Sequence, residues 1–400
     1  MSQPRVLERG DDFLAQYPRD TTSWNVMSKA TMYFSVFVTK AFLNICYNPK
    51  IEGLENLDQA LSKGKEENRG VMTVMNHMSV VDDPFVWGTL PFSFYMKHGN
   101  SFRWCLGASN VCFSSPGIAK FFSLGQTLST ERFGRGPFQG SLDAAIRLLS
   151  PDDTIDLDLV SSENFTENIK KTQKKILKVL QPGETASGFY KAPLIRDKPS
   201  WVHVYPEGFV LQLNPPFGNS MRYFKWGITR LILESTKAPI VVPMFATGFE
   251  KIAPESTAGT KVARYMPNNF GAEINVNIGT QIAEEIIDGF REEWKVLCDK
   301  YLKNNDNGDL NDNLMFSKEA EQLRSQVAAT LREHVAKIRH EIRKFPQEDP
   351  RFKSPSWWKI YTKTEGSSDE DVQFIGQNWA IRRLQGFCDD DLEDLANNKN

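Results

Sequence analysis

The 400-residue sequence predicts an α/β fold in which a layered sheet is flanked by helices. Short apolar, β-branched segments alternate with helical patterns between about residues 71 and 294, as in sheets whose strands are joined by helices. The predicted strands span residues 71–75, 202–205, 239–246 and 273–278. An apolar fraction of 40% and a negative mean hydropathy indicate a globular protein rather than one with many membrane spans.

Three regions are predicted along the chain. They are an N-terminal membrane-associating segment over residues 1–65, an α/β domain over 66–300, and a C-terminal helical extension with an acidic tail over 301–400. An acidic and then lysine-rich stretch from about 150 to 200 is predicted to be a surface insert, whose lysines could alternatively contact anionic lipids. An apolar stripe at helical spacing within 318–345 predicts a helix packed on the domain.

The segment from residue 24 to 49 is aromatic and apolar but is interrupted by Lys40. A membrane span needs about 20 mostly apolar residues, and a central lysine opposes one. We therefore expect an N-terminal interfacial membrane helix, with a short re-entrant segment or a helix packed on the domain as alternatives. The stretch 221–233 mixes aromatic, apolar and basic residues and fits an interfacial helix and a core helix equally well.

A histidine follows the first predicted strand, and Asp82 lies five residues after His77. On a regular helix this spacing separates the side chains by about 140°, so a contact requires a loop or a distorted first turn. In such a contact, Asp82 accepts from one ring nitrogen and leaves the other to take a proton from a hydroxyl. The alternative is a partly buried histidine that merely pairs with a carboxylate. Asp83 is predicted to cap the following helix.

A second strand-like run ends in Pro206, Glu207 and Gly208. Proline lacks an amide donor and glycine permits unusual dihedral angles, so a glutamate between them can be held where a ligand reaches it. Taken alone, the same three residues also fit an ordinary turn.

Together these two motifs resemble blocks one and three of the glycerolipid acyltransferase superfamily. Block one corresponds to Asn76, His77 and Asp82, and block three to residues 205–208. Within the superfamily the sequence is most similar to the tafazzin family in its fungal form. The similarity covers most of the chain and includes residues 72–84, 121–125, 129–140, 224–227, 243–248 and 353–358.

The resemblance implies a phospholipid–lysophospholipid transacylase that remodels the acyl chains of cardiolipin and needs no acyl-CoA. The implied partners are a membrane surface and lipids that include cardiolipin, monolysocardiolipin and phosphatidylcholine. The implied location is mitochondrial membranes, outer and inner, on the side facing the intermembrane space. Two alternatives remain: an acyl-CoA-dependent lysophospholipid acyltransferase that uses the same histidine, and a membrane-associated scaffold in which the pair is inert.

Position by position, the resemblance makes His77 the general base and Asp82 its orienting partner. It assigns substrate binding to Arg132 in block two and to Glu207 and Gly208 in block three. An arginine suits the block-two position because a planar guanidinium can bind a lipid phosphate bidentately, whereas lysine cannot. The alternative for Arg132 is a surface arginine in a glycine-rich loop.

The sequence departs from the superfamily directly after block three. Many members continue with Thr-Arg, whereas this chain has Phe209 and Val210. The arginine expected to bind phosphate is therefore missing. We predict that Arg222 or Lys225, which follow closely in sequence, supplies the compensating charge.

The residues that are absent favour a mechanism without a covalent acyl-enzyme. No Gly-x-Ser-x-Gly motif occurs, and none of the five cysteines lies in a recognisable nucleophile motif. We expect His77 to take the proton of a lysophospholipid hydroxyl, so that its oxygen attacks an ester carbonyl. Main-chain amides near the two strand ends are expected to stabilise the oxyanion.

Composition limits the partners and cofactors. A formal charge of −2 without a basic block argues against nucleic acid. The irregular spacing of the cysteines predicts neither a disulfide framework nor a zinc site, and no cofactor or metal is expected. Acidic residues near the N-terminus oppose a secretory signal or an arginine-rich presequence, so the mitochondrial location rests on the resemblance alone. The oligomeric state and the acyl-chain preference stay open.

Overall fold

A computed structural model describes residues 4–18, 21–98, 101–132, 136–150, 199–255, 267–302, 309–363 and 369–375. The predicted surface insert and the acidic tail lie outside the described residues, so both stay predictions. Cys388 also lies outside the described residues.

The centre of the fold is a seven-stranded sheet with the strand order β1-β7-β6-β2-β5-β3-β4. Neighbouring strands run parallel, except that β6 and β7 pair antiparallel. The predicted layered α/β sheet is therefore confirmed. The strands are β1 Asn48–Glu52, β2 Val71–Met75, β3 Trp104–Ala108, β4 Thr127–Thr130, β5 Trp201–Val204, β6 Ile240–Thr247 and β7 Glu273–Ile278.

Helices cover both faces of this sheet. They are α1 Pro4–Leu14, α2 Thr22–Cys46, α3 Leu54–Glu67, α4 Asp82–Thr89, α5 Phe92–His98, α6 Ser109–Cys112, α7 Pro116–Leu124, α8 Gly140–Leu149, α9 Arg230–Leu233, α10 Phe249–Ile252, α11 Glu284–Tyr301, α12 Asp312–Phe316, α13 Lys318–Lys337 and α14 Pro355–Lys363. One face packs against α1, α8, α9, α11 and α13, and the other against α2 to α5. Side chains alternate between the faces, so Met72 and Val74 join one core whereas Val71 and Met75 join the other.

All four predicted strands are present, and β5 and β6 are displaced by one residue from the predicted bounds. Strands β1, β3 and β4 were not predicted from the sequence. Strand β1 is an edge strand that contains Pro49 and Lys50, β3 contains Gly107, and three of the four residues of β4 are Thr or Ser, so none carries an uninterrupted apolar pattern. Strand β1 also lies inside the region predicted as an N-terminal segment, so the sheet begins before residue 66.

The predicted N-terminal helix is α2, a single helix of 25 residues. Its inner side, with Met32, Val36 and Leu43, is buried, and the helix packs against α4. Lys40 turns inward, and its ammonium donates to the main-chain oxygen of Leu90 at 3.0 Å. Within the described residues, no helix combines the length and the apolar character needed to cross a bilayer.

The stretch 221–233 lies in the core and includes only short helices. After an irregular start it forms a 3-10 helix, Trp226–Thr229, that continues into α9. Ile228 and Leu231 are buried, which favours the core alternative over the interfacial one.

The predicted C-terminal helix is also present. Helix α13 continues as a π-helical turn, Ile338–Ile342, and buries Leu323, Val327 and Leu331 in the core beside the sheet.

Candidate active site

The contact between His77 and Asp82 is made through a loop, as their spacing requires. Strand β2 ends at Met75, and α4 begins at Asp82. The loop is anchored because the Asn76 amide pairs with the main chain of Ala246 in β6, accepting from its nitrogen at 2.8 Å and donating to its oxygen at 3.0 Å. His77 Nδ1 then lies 2.8 Å from Asp82 Oδ2.

The same aspartate oxygen fixes the tautomer of the histidine. Asp82 Oδ2 also accepts from the amides of Met78 at 2.8 Å and Ser79 at 3.0 Å. Because this oxygen acts as an acceptor, the ring nitrogen that faces it must be the donor, which selects the tautomer with the proton on Nδ1 and the lone pair on Nε2. The aspartate side chain is 1% exposed and the histidine side chain 23%, so only the imidazole reaches solvent.

Asp83 has a different role from its neighbour. Its backbone is extended directly before Pro84, as at a helix cap. Its carboxylate, however, accepts from Arg103 Nε at 2.9 Å and from the indole of Trp87, not from helix amides. The predicted side-chain cap is therefore wrong, because the buried Arg103 guanidinium takes the carboxylate instead.

Glu207 is buried and points toward the protein interior. Its Oε1 accepts from the main-chain nitrogen of His77 and its Oε2 from that of Arg222, each at 2.8 Å. Burial raises the pKa of Glu207 to about 8, although these two amides and Arg332 act to lower it. The carboxylate thus ties the two predicted motifs together. Its assignment to substrate binding stays a prediction.

A cavity of ≈ 1190 Å³ opens beside His77. Its walls include the last residues of β3 and residues that follow β2, β4 and β5, so it lies at the carboxyl ends of parallel strands, where open α/β sheets commonly bind ligands. Of the predicted site residues, His77, Arg132, Gly208 and Lys225 line it. The far wall comes from the C-terminal extension and includes Ser325, Ala328, Ala329, Arg332, Glu333 and Lys353.

The two candidates for the compensating charge differ in position. Lys225 lines the cavity, and its side chain lies against Gly208, where a Cβ would be only 2.9 Å from the ammonium, so the absence of a side chain allows this close approach. The pKa of Lys225 is lowered to about 7, mainly by burial and in addition by the positive charges of Arg222 and Arg132. Arg222 does not line the cavity, because its guanidinium packs over Phe209 and Tyr223 at 4.3 and 4.5 Å from the ring centroids.

The comparisons with known proteins agree with this architecture. Residues 48–246 match the model of the Acyltransferase family. Over 387 residues the chain is 57% identical to tafazzin of Saccharomyces cerevisiae, and the alignment covers 97% of each protein. The chain belongs to the tafazzin family. Membership makes it an acyltransferase, and the implied substrates are phospholipids or lysophospholipids.

More distant relatives of this tafazzin-family chain match about three-fifths of its length. It is 26% identical to taffazin of Dictyostelium discoideum, with 61% of this chain and 66% of the relative covered. It is 28% identical to N-acylphosphatidylethanolamine synthase of Arabidopsis thaliana, with 61% and 64% covered. The 1-acyl-sn-glycerophosphate acyltransferase PlsC of Thermotoga maritima aligns in structure over 75% of this chain and 98% of its own, at 13% identity and a TM-score of 0.34.

Sequence reasoning missed several residues around the site. The Tyr205 ring packs beside the His77 imidazole with 4.5 Å between centroids, and Arg103 anchors Asp83 from 20 residues away. Tyr205 stands in the block-three motif, which already indicated that it lies near the site. Arg103 and the wall formed by the C-terminal extension carried no local signal, since their proximity arises only from folding.

Proposed function

We propose that this tafazzin-family chain is a CoA-independent phospholipid–lysophospholipid transacylase that remodels cardiolipin, with His77 as general base and Asp82 as orienting partner. The observation that supports this proposal best is the environment of the His77 imidazole. Its Nδ1 is held by a buried carboxylate, and the ring opens into a cavity of ≈ 1190 Å³. Neutral histidines held in this way are suited to general-base catalysis, and the cavity exceeds what a small ligand needs. The independence from CoA rests on family membership.

The chemical step transfers one acyl group between two alcohols. His77 Nε2 takes the proton of the acceptor lysolipid hydroxyl as its oxygen attacks the ester carbonyl of the donor lipid. The tetrahedral intermediate then expels the donor's glycerol oxygen, which receives the proton from the imidazolium. One ester bond forms and one breaks, so the products are an acylated acceptor and a new lysolipid.

The described cysteines support a route without a covalent acyl-enzyme. Cys105 lies in β3 and Cys112 in α6, which directly follows it, and neither lines the cavity. Burial raises the pKa of each thiol to about 12, so neither forms a thiolate near neutral pH. A direct transfer with histidine as the base needs no such nucleophile.

We assign the lipid phosphate to the cations on the cavity wall. Arg132 and Lys225 line the cavity, and Arg222 stands close enough to lower the pKa of Lys225. A bound phosphodiester would relieve the repulsion around Lys225, which makes this lysine the proposed substitute for the missing block-three arginine.

The oxyanion donors are expected among side chains rather than the main-chain amides first considered. The amide of His77 donates to Glu207, those of Met78 and Ser79 to Asp82, and that of Gly208 to the main-chain oxygen of Tyr205. Four nearby amides are thus already engaged. The developing negative charge would have to be met by the cavity cations.

We also propose that α2 attaches the protein to the membrane interface. Its outer side carries large apolar side chains that are exposed: Val26, Met27, Tyr33, Phe34, Phe37, Val38 and Ile45. Helix α5 extends this surface, because the rings of Phe37 and Phe92 lie 6.4 Å apart. A broad exposed apolar surface with its lysine turned inward is suited to an interface.

Vesicle flotation tests this attachment. A Phe34→Glu, Phe37→Glu variant should lose most binding to phosphatidylcholine–cardiolipin vesicles. The control is Val296→Glu on α11, which is as exposed as Phe34 at 64% but lies over the opposite face of the sheet. Equal binding by both variants would exclude α2 as the attachment surface.

The proposed location is on mitochondrial membranes facing the intermembrane space. It rests on the family alone. Isolated mitochondria treated with protease test it, since the chain should be degraded once the outer membrane is ruptured. Protection until the inner membrane is also opened would place the protein in the matrix and contradict the proposal.

The decisive experiment for the activity measures acyl exchange between labelled phosphatidylcholine and monolysocardiolipin in bilayers without CoA. Wild type is compared with His77→Ala and with a control, His98→Ala. His98 also pairs with an aspartate, Asp58, at 2.8 Å, but it does not line the cavity. Exchange by wild type and the control, lost in His77→Ala, is expected.

Two other outcomes would point elsewhere. Exchange that appears only after acyl-CoA is added would favour the CoA-dependent lysophospholipid acyltransferase. Equal exchange by all three proteins would remove His77 from the mechanism.

A further inference from the structure

A chain of buried hydrogen bonds links the C-terminal extension to the main chain of His77. It starts at Arg332 on α13, whose guanidinium donates to the main-chain oxygens of Met221 at 2.7 Å and Arg222 at 2.9 Å. The same guanidinium donates to Glu348 at 2.7 Å. Glu348 in turn accepts from the main-chain nitrogen of Met221, which closes a ring of contacts around residues 221–222.

The clamped segment then holds the glutamate of block three. The main-chain nitrogen of Arg222 donates to Glu207 Oε2, and Glu207 Oε1 accepts from the main-chain nitrogen of His77. Arg332 and Glu348 are both almost fully buried, with side chains 4% and 1% exposed. The bonds from Arg332 to the main-chain oxygens of residues 221–222 and from the Arg222 amide to Glu207 are buried, so water competes little for them.

We propose that Arg332 and Glu348 are positioning residues for His77, acting through residues 221–222 and Glu207. This proposal rests on the role of His77 as the base. Both residues lie beyond residue 246, where the match to the acyltransferase family model ends. The C-terminal extension thus contributes residues that position the active-site histidine.

The segment needs such a clamp because it has no regular structure of its own. Residues 220–225 belong to no helix or strand, so side chains must satisfy their buried main-chain groups. Without Arg332 or Glu348, the amide of Arg222 is no longer fixed opposite Glu207. That carboxylate would lose one of its two amide donors and hold the histidine amide less firmly.

Two other roles of the pair are possible: it only stabilises the fold, or Arg332 contacts the substrate directly. Arg332 lines the cavity, so its replacement alone cannot separate these roles. Glu348 does not line the cavity, which makes Glu348→Gln the more informative variant. A double variant, Arg332→Met with Glu348→Met, removes the clamp without leaving a buried charge unpaired, and such replacements often preserve folding.

The matched control is Arg324→Met, on the same helix. Arg324 is also a buried arginine that donates to a main-chain oxygen, that of Met315 at 3.1 Å, but it makes no contact with residues 221–222 or Glu207. Each variant is measured for kcat, KM and folded fraction in the exchange assay. The histidine ring signals are followed by NMR, with that of His77 assigned from its loss in His77→Ala.

We expect kcat per folded protein to fall about tenfold in Glu348→Gln and in the double variant, because small displacements of a base are costly. KM for Glu348→Gln should stay within about twofold, and the His77 signal should shift or broaden in both variants. Arg324→Met should change neither kcat per folded protein nor the His77 signal.

A wild-type kcat in the double variant would overturn the positioning role, because the loss in Glu348→Gln would then come only from the unpaired charge of Arg332. An unchanged His77 signal in Glu348→Gln would overturn it as well. Activity retained by His77→Ala would instead defeat the proposed function, while the NMR result would still report whether the clamp holds the histidine.

Discussion

Replacement of Asp82 by asparagine tests the His77–Asp82 pair because three hydrogen bonds converge on one carboxylate oxygen. Oδ2 accepts from the ring of His77 and from the amides of Met78 and Ser79, whereas Oδ1 is buried without a hydrogen-bond partner. Asparagine can place its amide oxygen at the Oδ2 position and keep all three bonds. The substitution should therefore remove the negative charge while leaving the orientation of the ring intact.

The expected magnitude follows from that charge. A carboxylate about 4 Å from an imidazolium stabilises it by about 4 kcal/mol at an effective dielectric constant of about 20. A neutral amide oxygen retains part of this stabilisation, so we expect kcat to fall about 10²- to 10³-fold. The new NH2 group at the Oδ1 site lacks an acceptor, which should lower the free energy of unfolding by about 1–3 kcal/mol.

The assay is CoA-free exchange corrected for the folded fraction, with two companion variants. Asp82→Ala also loses the orientation of the ring and should fall to the level of His77→Ala. Asp58→Asn removes the negative charge beside His98 in the other described histidine–aspartate pair, and it should keep wild-type kcat. A kcat for Asp82→Asn within about threefold of wild type, or an equal loss in Asp58→Asn, would refute the reasoning.

Three further predictions concern block three and its surroundings. Lys225→Met should raise the lipid KM about tenfold, because a charge-assisted contact to phosphate is lost, and a fall in kcat beside it would mark Lys225 as an oxyanion donor as well. Since the pKa of Lys225 is lowered to about 7, the wild-type KM should rise as the pH passes that value and the variant's should not; a flat wild-type profile would contradict the assignment. The pKa of Glu207 is raised from 4.5 to about 8, so the native state binds the carboxyl proton more tightly than the unfolded state does. The stabilisation that this proton gives the native state is lost as the pH rises from 4.5 to about 8. In thermal unfolding, the stability advantage of wild type over Glu207→Gln should narrow from pH 5 to pH 8, and a constant difference would show that Glu207 does not titrate there. Gly208→Ala places a Cβ 2.9 Å from the Lys225 ammonium at a φ of +79°, so it should cost about 1–2 kcal/mol of stability and raise KM, which melting curves and kinetics would check.

The sequence by itself determined the fold class and the central chemical pair. The apolar run 71–75 and the segment 273–278, in which polar and apolar residues alternate, carry strand patterns, and both strands appear at the predicted bounds. The spacing of His77 and Asp82 allowed a contact only through a loop or a distorted first turn, and the structure makes the contact through a loop. Such features are local, so neighbouring residues along the chain suffice to specify them.

Only the tertiary structure decided which charges reach the cavity and which are used to build it. Lys225 and Arg222 are nearly adjacent in sequence, yet only the lysine lines the cavity, because the arginine is taken up by aromatic rings. Arg332 and Arg222 are joined across 110 residues. Contacts of this kind depend on how distant elements pack, and the hydrophobic pattern along the chain does not specify which polar groups are brought together when its apolar faces are buried.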